Sequence, residues 1–139
     1  MEVKYLNQEE FDIDIAPFLT YTKKLAKSIV VMGGILNVVF VNDKYIRALN
    51  KAYRDKDEST DVLSFEYGPD DLMGEVYISV ETAERQAKEY KHSLSDELIR
   101  LIVHGILHIY GYDHEEDADY KEMLFVEKKV LGKLVGEAV

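Results

Sequence analysis

Stretches with a two-residue apolar period alternate with stretches of helical period along these 139 residues. No repeat or Gly/Ser-rich linker separates them, and residues 95–110, "SDELIRLIVHGILHIY", are apolar almost all round. Together these observations predict an α+β fold. The expected form is a single small domain over 1–139, with a mixed sheet of about four strands packed against helices, a chain long enough to bury a sizeable core.

Each element has its own signal. "MEVKYL" alternates and reads as a first strand. "APFLTYTKKLAKSIV" places Phe18, Leu19, Leu25, Ala26 and Ile29 at helical spacing, with Pro17 in the tolerant first turn and Gly33 and Gly34 as the stop. "ILNVVFV" is a β-branched strand, after which Asn42 or Asp43 caps a helix over "KYIRALNKAYR". "DKDEST" is a polar loop, "DVLSFEY" a strand, "GPDDLMG" a turn and "EVYIS" a further strand, the last two strands forming an antiparallel pair. "VETAERQAKEY" is an amphipathic, mostly exposed helix. The apolar segment 95–110 is a buried helix stopped by Gly111, and 117–134 a last helix.

Composition narrows the function. With no cysteine, disulfides, thiolate metal sites and cysteine nucleophiles are excluded. "MEVKYLNQEEFD" has acids where a signal peptide needs an apolar core, and no apolar run could cross a bilayer, so a cytoplasmic location without membrane contact is expected. A net charge of -10 argues against holding nucleic acid by general phosphate attraction.

Three of the four histidines fall within "HGILHIYGYDH", residues 104–114. Residues four apart lie within about 40° on a helix, so His104 and His108 share a face. A reversal at Gly111 can return His114 to the same point. Three neutral imidazoles leave a fourth tetrahedral position for water, the mark of a catalytic zinc site with one ion per chain. Nickel and copper also accept imidazole, and Asp113, Glu115 and Glu116 stand near enough to orient a ligand. The competing reading makes His104 and His108 hydrogen-bonded core residues, but clustering of this kind favours the metal. His92, without such company, is expected at the surface.

The spacing resembles the metzincin protease signature, which makes the bearing helix zincin-like. Where those proteases carry their catalytic Glu, this chain has Gly105, which disfavours a metallopeptidase.

Lys44, Arg47, Lys51 and Arg54 recur at i, i+3, i+7 and i+10, an arc of about 80°. Tyr45, Ile46, Leu49, Ala52 and Tyr53 take the opposite, core-facing arc. No acid lies between Lys44 and Arg54. The stripe is either an ordinary solvated face or a track for a phosphate backbone. Arg54, at the helix exit, either clamps a phosphate or pairs with Asp55, Asp57 or Glu58. Thr60 and Asp61 are expected to fix the loop through side-chain to backbone hydrogen bonds.

"NKAYRDKDESTDVLSF" and "HGILHIYGYDH" resemble the two signatures of the YbeY family, the bacterial rRNA maturation factors and metal-dependent endoribonucleases. That resemblance spans the chain and includes a glycine-acid-strand element at Gly74 to Ile78. It implies His104, His108 and His114 as zinc ligands, with Arg54 and His108 catalytic in the active cleft; the stripe of Lys44, Arg47, Lys51 and Arg54, read from its spacing, would then face RNA. The resemblance implies single-strand cleavage in maturation of the small-subunit rRNA 3' end and in ribosome quality control. The small ribosomal subunit or its assembly factors would be partners. A non-catalytic, zinc-containing ribosome assembly factor is the alternative. Glu75 and Glu66 stand where the family often has Asp and Pro.

Overall fold

The structure, a computed structural model, describes residues 2–28, 34–67 and 72–109. In chain order these form β1 (Glu2–Leu6), a 3-10 turn (Glu9–Phe11), α1 (Ala16–Ser28), β2 (Ile35–Val41), α2 (Asp43–Arg54), β3 (Val62–Glu66), β4 (Leu72–Ser79), α3 (Val80–Glu89) and α4 (Leu94–Ile109). The α+β fold with a four-stranded mixed sheet is as the sequence predicts. Strand order is β1-β2-β4-β3: β1 and β4 both run parallel to β2, and β3 pairs antiparallel with β4 at the edge.

Alternation along the strands gives the sheet two unlike faces. Leu36, Val38, Phe40, Val76 and Ile78 point to one side, into the main core with Phe18 of α1, Ala83 of α3 and the apolar face of α4. Val39, Val41 and Leu63 point to the other side, where Ile46 of α2 covers them in a smaller cluster. The helices carrying the basic stripe and the histidines therefore lie on opposite faces of one sheet.

Side-chain caps fix where α2 and α3 begin. Asn42 accepts a hydrogen bond from Tyr45 N at 2.8 Å, the capping geometry that leaves one fewer orphan amide. Asp43, one residue on, accepts from Ser79 Oγ at 2.6 Å, Thr82 Oγ1 at 2.6 Å and Arg85 Nη2 at 2.8 Å, while its own N–H donates to Glu81 Oε1 at 2.8 Å. The first turns of α2 and α3 are thus tied together, with α2 ending at Asp55 in the left-handed region (φ 56°).

Two expectations need correction. Leu72, Met73 and Gly74 belong to β4 and not to a turn, because β4 has partners on both sides: Leu72 pairs with Ile35, and Gly74 pairs with Leu36 and Glu66. Gly74 suits that position because a Cβ there would lie 2.7 Å from Phe65 O and 2.8 Å from Ile109 Cδ1. Tyr45, Ala52 and Tyr53 do not face the core. The buried stripe of α2 is narrow, with only Ile46 and Asn50 fully covered, and Tyr53 is 70% exposed. The expected stop at Gly33, the turn over 68–71, Gly111 and the helix over 117–134 lie outside the described residues.

Candidate functional site

Arg54, in the last turn of α2, does not form the salt bridge that its acidic neighbours offered. Arg47 takes Asp57 instead, Nε to Oδ1 at 2.8 Å, and the nearby Lys51 charge adds to the pull that holds the Asp57 carboxyl below its usual range. Arg54 turns to edge strand β3, where Nη2 donates to the Ser64 carbonyl at 2.9 Å and Cζ lies 5.8 Å from the centre of the Phe65 ring. Among the described residues no carboxylate is salt-bridged to it. Lys44 and Lys51 are exposed on the same helix. The stripe is therefore uneven: Arg47 is engaged and Arg54 is held in place by backbone and ring.

Ser64 also reaches the opposite side of the sheet. Its hydroxyl donates to the Gly105 carbonyl of α4 at 3.2 Å. Gly105 follows His104 directly, so one residue of β3 joins the arginine and histidine segments, which lie fifty residues apart in sequence. Sequence reasoning missed Ser64, whose only signal is its place in a strand between two apolar residues.

Gly105 permits this approach. A Cβ there would meet Val76 Cγ1 at 2.5 Å, and Ser64 Oγ and Val76 Cγ2 at 3.1 Å. No side chain fits at that position, so a glutamate after His104 is sterically shut out.

From Leu101 to Ile109 every residue of α4 is buried except His104 and His108, which are partly exposed. Their common face is the partly exposed one along this otherwise buried half of the helix, as one turn of spacing requires. His114 lies outside the described residues, and among those residues no group of three His, Cys, Asp or Glu forms a metal site. Two imidazoles sharing an open face fit a zinc-type donor set that a third ligand would complete.

Glu75 faces away from the histidines. It shares the α2 side of the sheet with Asn37, Tyr67 and Tyr77, accepting from Tyr67 Oη at 2.7 Å, Tyr77 Oη at 3.2 Å and Asn37 Nδ2 at 3.4 Å. The hydrogen bond to Glu75 pushes the Tyr67 phenol up to about 12, helped by burial and the carboxylate charge.

His92 is not a free surface residue. Its Nε2 lies 2.8 Å from Glu97 Oε1, and Glu97 is fully buried and held by Arg100 at 2.6 and 2.9 Å. A buried carboxylate needs such partners, so the cluster anchors the start of α4. Asp61 plays the expected loop role, accepting from Val62 N at 2.8 Å and Thr60 Oγ1 at 3.3 Å.

Residues 3–135 match the family described as endoribonuclease YbeY. Proteins of that name include one from Aquifex aeolicus, 52% identical over 104 residues, covering 71% of this chain and 69% of its own. Another from Carboxydothermus hydrogenoformans is 39% identical over 132 residues, covering 91% and 92%. A third, from Acholeplasma laidlawii, is 38% identical over 135 residues, covering 96% of each. The solution structure of a Thermotoga maritima protein superposes with a TM-score of 0.67 at 31% identity, over 96% of this chain and 89% of that one.

Proposed function

This chain belongs to the YbeY family, and on that basis we propose that it is a metal-dependent endoribonuclease that cuts unpaired RNA. The observation that carries the reading is Ser64, which receives Arg54 on its carbonyl and gives its hydroxyl to Gly105 beside His104. A cation suited to phosphate and the helix that carries two imidazoles are thereby linked through one residue of the edge strand.

His104 and His108, with His114, would hold one zinc ion. When bound, that ion supplies Lewis acidity toward a phosphoryl oxygen and lowers the pKa of water. Arg54 binds the phosphodiester and stabilises the charge that builds at phosphorus in the transition state. Ser64 takes one of the five guanidinium N–H donors and Phe65 supports the guanidinium carbon. The remaining donors form the fork that suits a phosphate. Because the group is held before substrate arrives, little ordering cost falls on the bound state. The close packing at Gly105 weighs against the peptidase reading, since the protease glutamate has no room there.

The substrate within this reading is the 3' end of small-subunit rRNA, in the cytoplasm, with the small ribosomal subunit or its assembly factors as partner. The net charge of -10 favours such a partner as the source of affinity, leaving Arg54, Lys44 and Lys51 to make local phosphate contacts.

Cleavage of an unpaired RNA and its duplex form by the purified protein tests the proposal. Cutting of the unpaired strand alone, abolished by chelator and restored by zinc, is expected. Cutting that persists after complete metal removal would contradict it.

A further inference from the structure

Three exposed tyrosines, Tyr45, Tyr53 and Tyr67, surround the side of the sheet that α2 covers only in part, at 52%, 70% and 51% exposure. Their rings are anchored. Tyr45 stacks on Tyr77 with centroids 6.3 Å apart and planes 20° apart. Phe65 receives Tyr53 at 5.5 Å and Tyr77 at 5.7 Å, both edge to face. The Tyr67 hydroxyl is tied to Glu75 at 2.7 Å. An aromatic ring fixed at one end and open to solvent along its face loses little rotamer freedom when a flat ligand lands on it.

Arg54 belongs to the same group. It follows Tyr53 in the chain, lies over the Phe65 ring that Tyr53 touches, and reaches across β3 to Ser64. Anchored aromatic faces beside a cation suited to phosphate are what an unpaired nucleic-acid strand requires: bases stack in sequence-tolerant fashion while the backbone pairs with the cation. The charge of the chain favours stacking as the main term, since the Glu75 carboxylate lies among these rings and general phosphate attraction is weak in an acidic protein.

Resting on the endoribonuclease reading, we infer that Tyr53 and Tyr67 form a stacking platform for unpaired bases flanking the phosphate bound by Arg54. They act as substrate-positioning residues on the opposite sheet face from the histidines, so the RNA strand crosses the edge at β3. Unpaired RNA is thereby selected over duplex, whose bases present no open face.

The test is binding of a short fluorescein-labelled unpaired RNA to the holoprotein by anisotropy, read on ice, with cleavage followed separately by gel. Tyr53→Leu and Tyr67→Leu should each weaken binding by about 5- to 150-fold, the equivalent of one base–aromatic contact. Tyr53→Phe, which keeps the ring, should bind within about 2-fold of wild type on the same stacking principle. An abasic strand of equal length should bind wild type as poorly as the Leu variants bind intact RNA. Well-folded Leu variants that bind like wild type would overturn the platform, as would abasic RNA that binds like intact RNA or a Phe variant as weak as Leu. Wild-type protein that binds RNA in this pattern but never cuts it would overturn the endoribonuclease reading and leave the platform standing.

Discussion

At residue 105 the packing leaves little tolerance for even a small change. The 2.5 Å approach of a Cβ to Val76 Cγ1 leaves an added methyl no room unless α4 lifts from the sheet. Gly105→Ala is expected to lower stability by about 1–3 kcal/mol, measured by urea unfolding. An alanine variant as stable as wild type would show that the helix has slack here. Gly105→Glu, which restores the protease signature, should cost more and yield no peptidase activity on an unfolded protein substrate. Ser64→Ala removes the hydroxyl bond to α4 but not the carbonyl that Arg54 uses, so a loss of about 0.5–1.5 kcal/mol in the same unfolding assay is expected. His104, His108 and Arg54 were legible in the sequence because spacing on one helix is a local property. Ser64 and Gly105 were not, because their roles arise from a contact between a strand and a helix forty-one residues apart.

At the level of elements, the joined first turns of α2 and α3 give the fold an acid-sensitive tie. Burial pushes the Asp43 carboxyl up, but hydrogen bonds from Ser79, Thr82 and Arg85 outweigh it and hold the group below the ordinary carboxyl range. A carboxyl lowered on folding contributes stability that is fully present above its unfolded pKa of about 4 and is lost as pH falls through the lower folded value. The Tm difference between wild type and Asp43→Asn should therefore be widest near neutral pH and shrink below about pH 4. A gap that stayed constant across that range would show that Asp43 acts through shape and not through charge. Helices and strands themselves were well anticipated, since "ILNVVFV" and the apolar run of α4 carry their periods openly. "LMG" misled because glycine beside acids reads as a turn, whereas here partners on both sides draw it into β4. Tyr53 misled because the helical period places it on the core arc of α2, while the buried stripe covers only Ile46 and Asn50.

For the whole molecule, the central relation is that a four-stranded sheet separates the arginine helix from the histidine helix and joins them again at its edge. Strand order β1-β2-β4-β3 puts β3 outermost, so Arg54 can reach across it from one face while α4 lies against it on the other. Chain topology of this kind is invisible to spacing arguments, although the two sequence segments themselves stood out. In the proposed function the arrangement separates two roles that a variant pair can resolve, metal for His108 and phosphate for Arg54. Cleavage of a 3'-extended small-subunit rRNA precursor should be measured for wild type, His108→Ala and Arg54→Ala, with zinc content determined for each purified protein. The expected result is cutting by wild type alone, zinc lost from the His108 variant, and zinc retained in the Arg54 variant with turnover reduced by about 10²-fold or more, as for removal of a transition-state charge donor. Equal cutting by all three proteins, or zinc lost together with Arg54, would contradict the division of labour across the edge of the sheet.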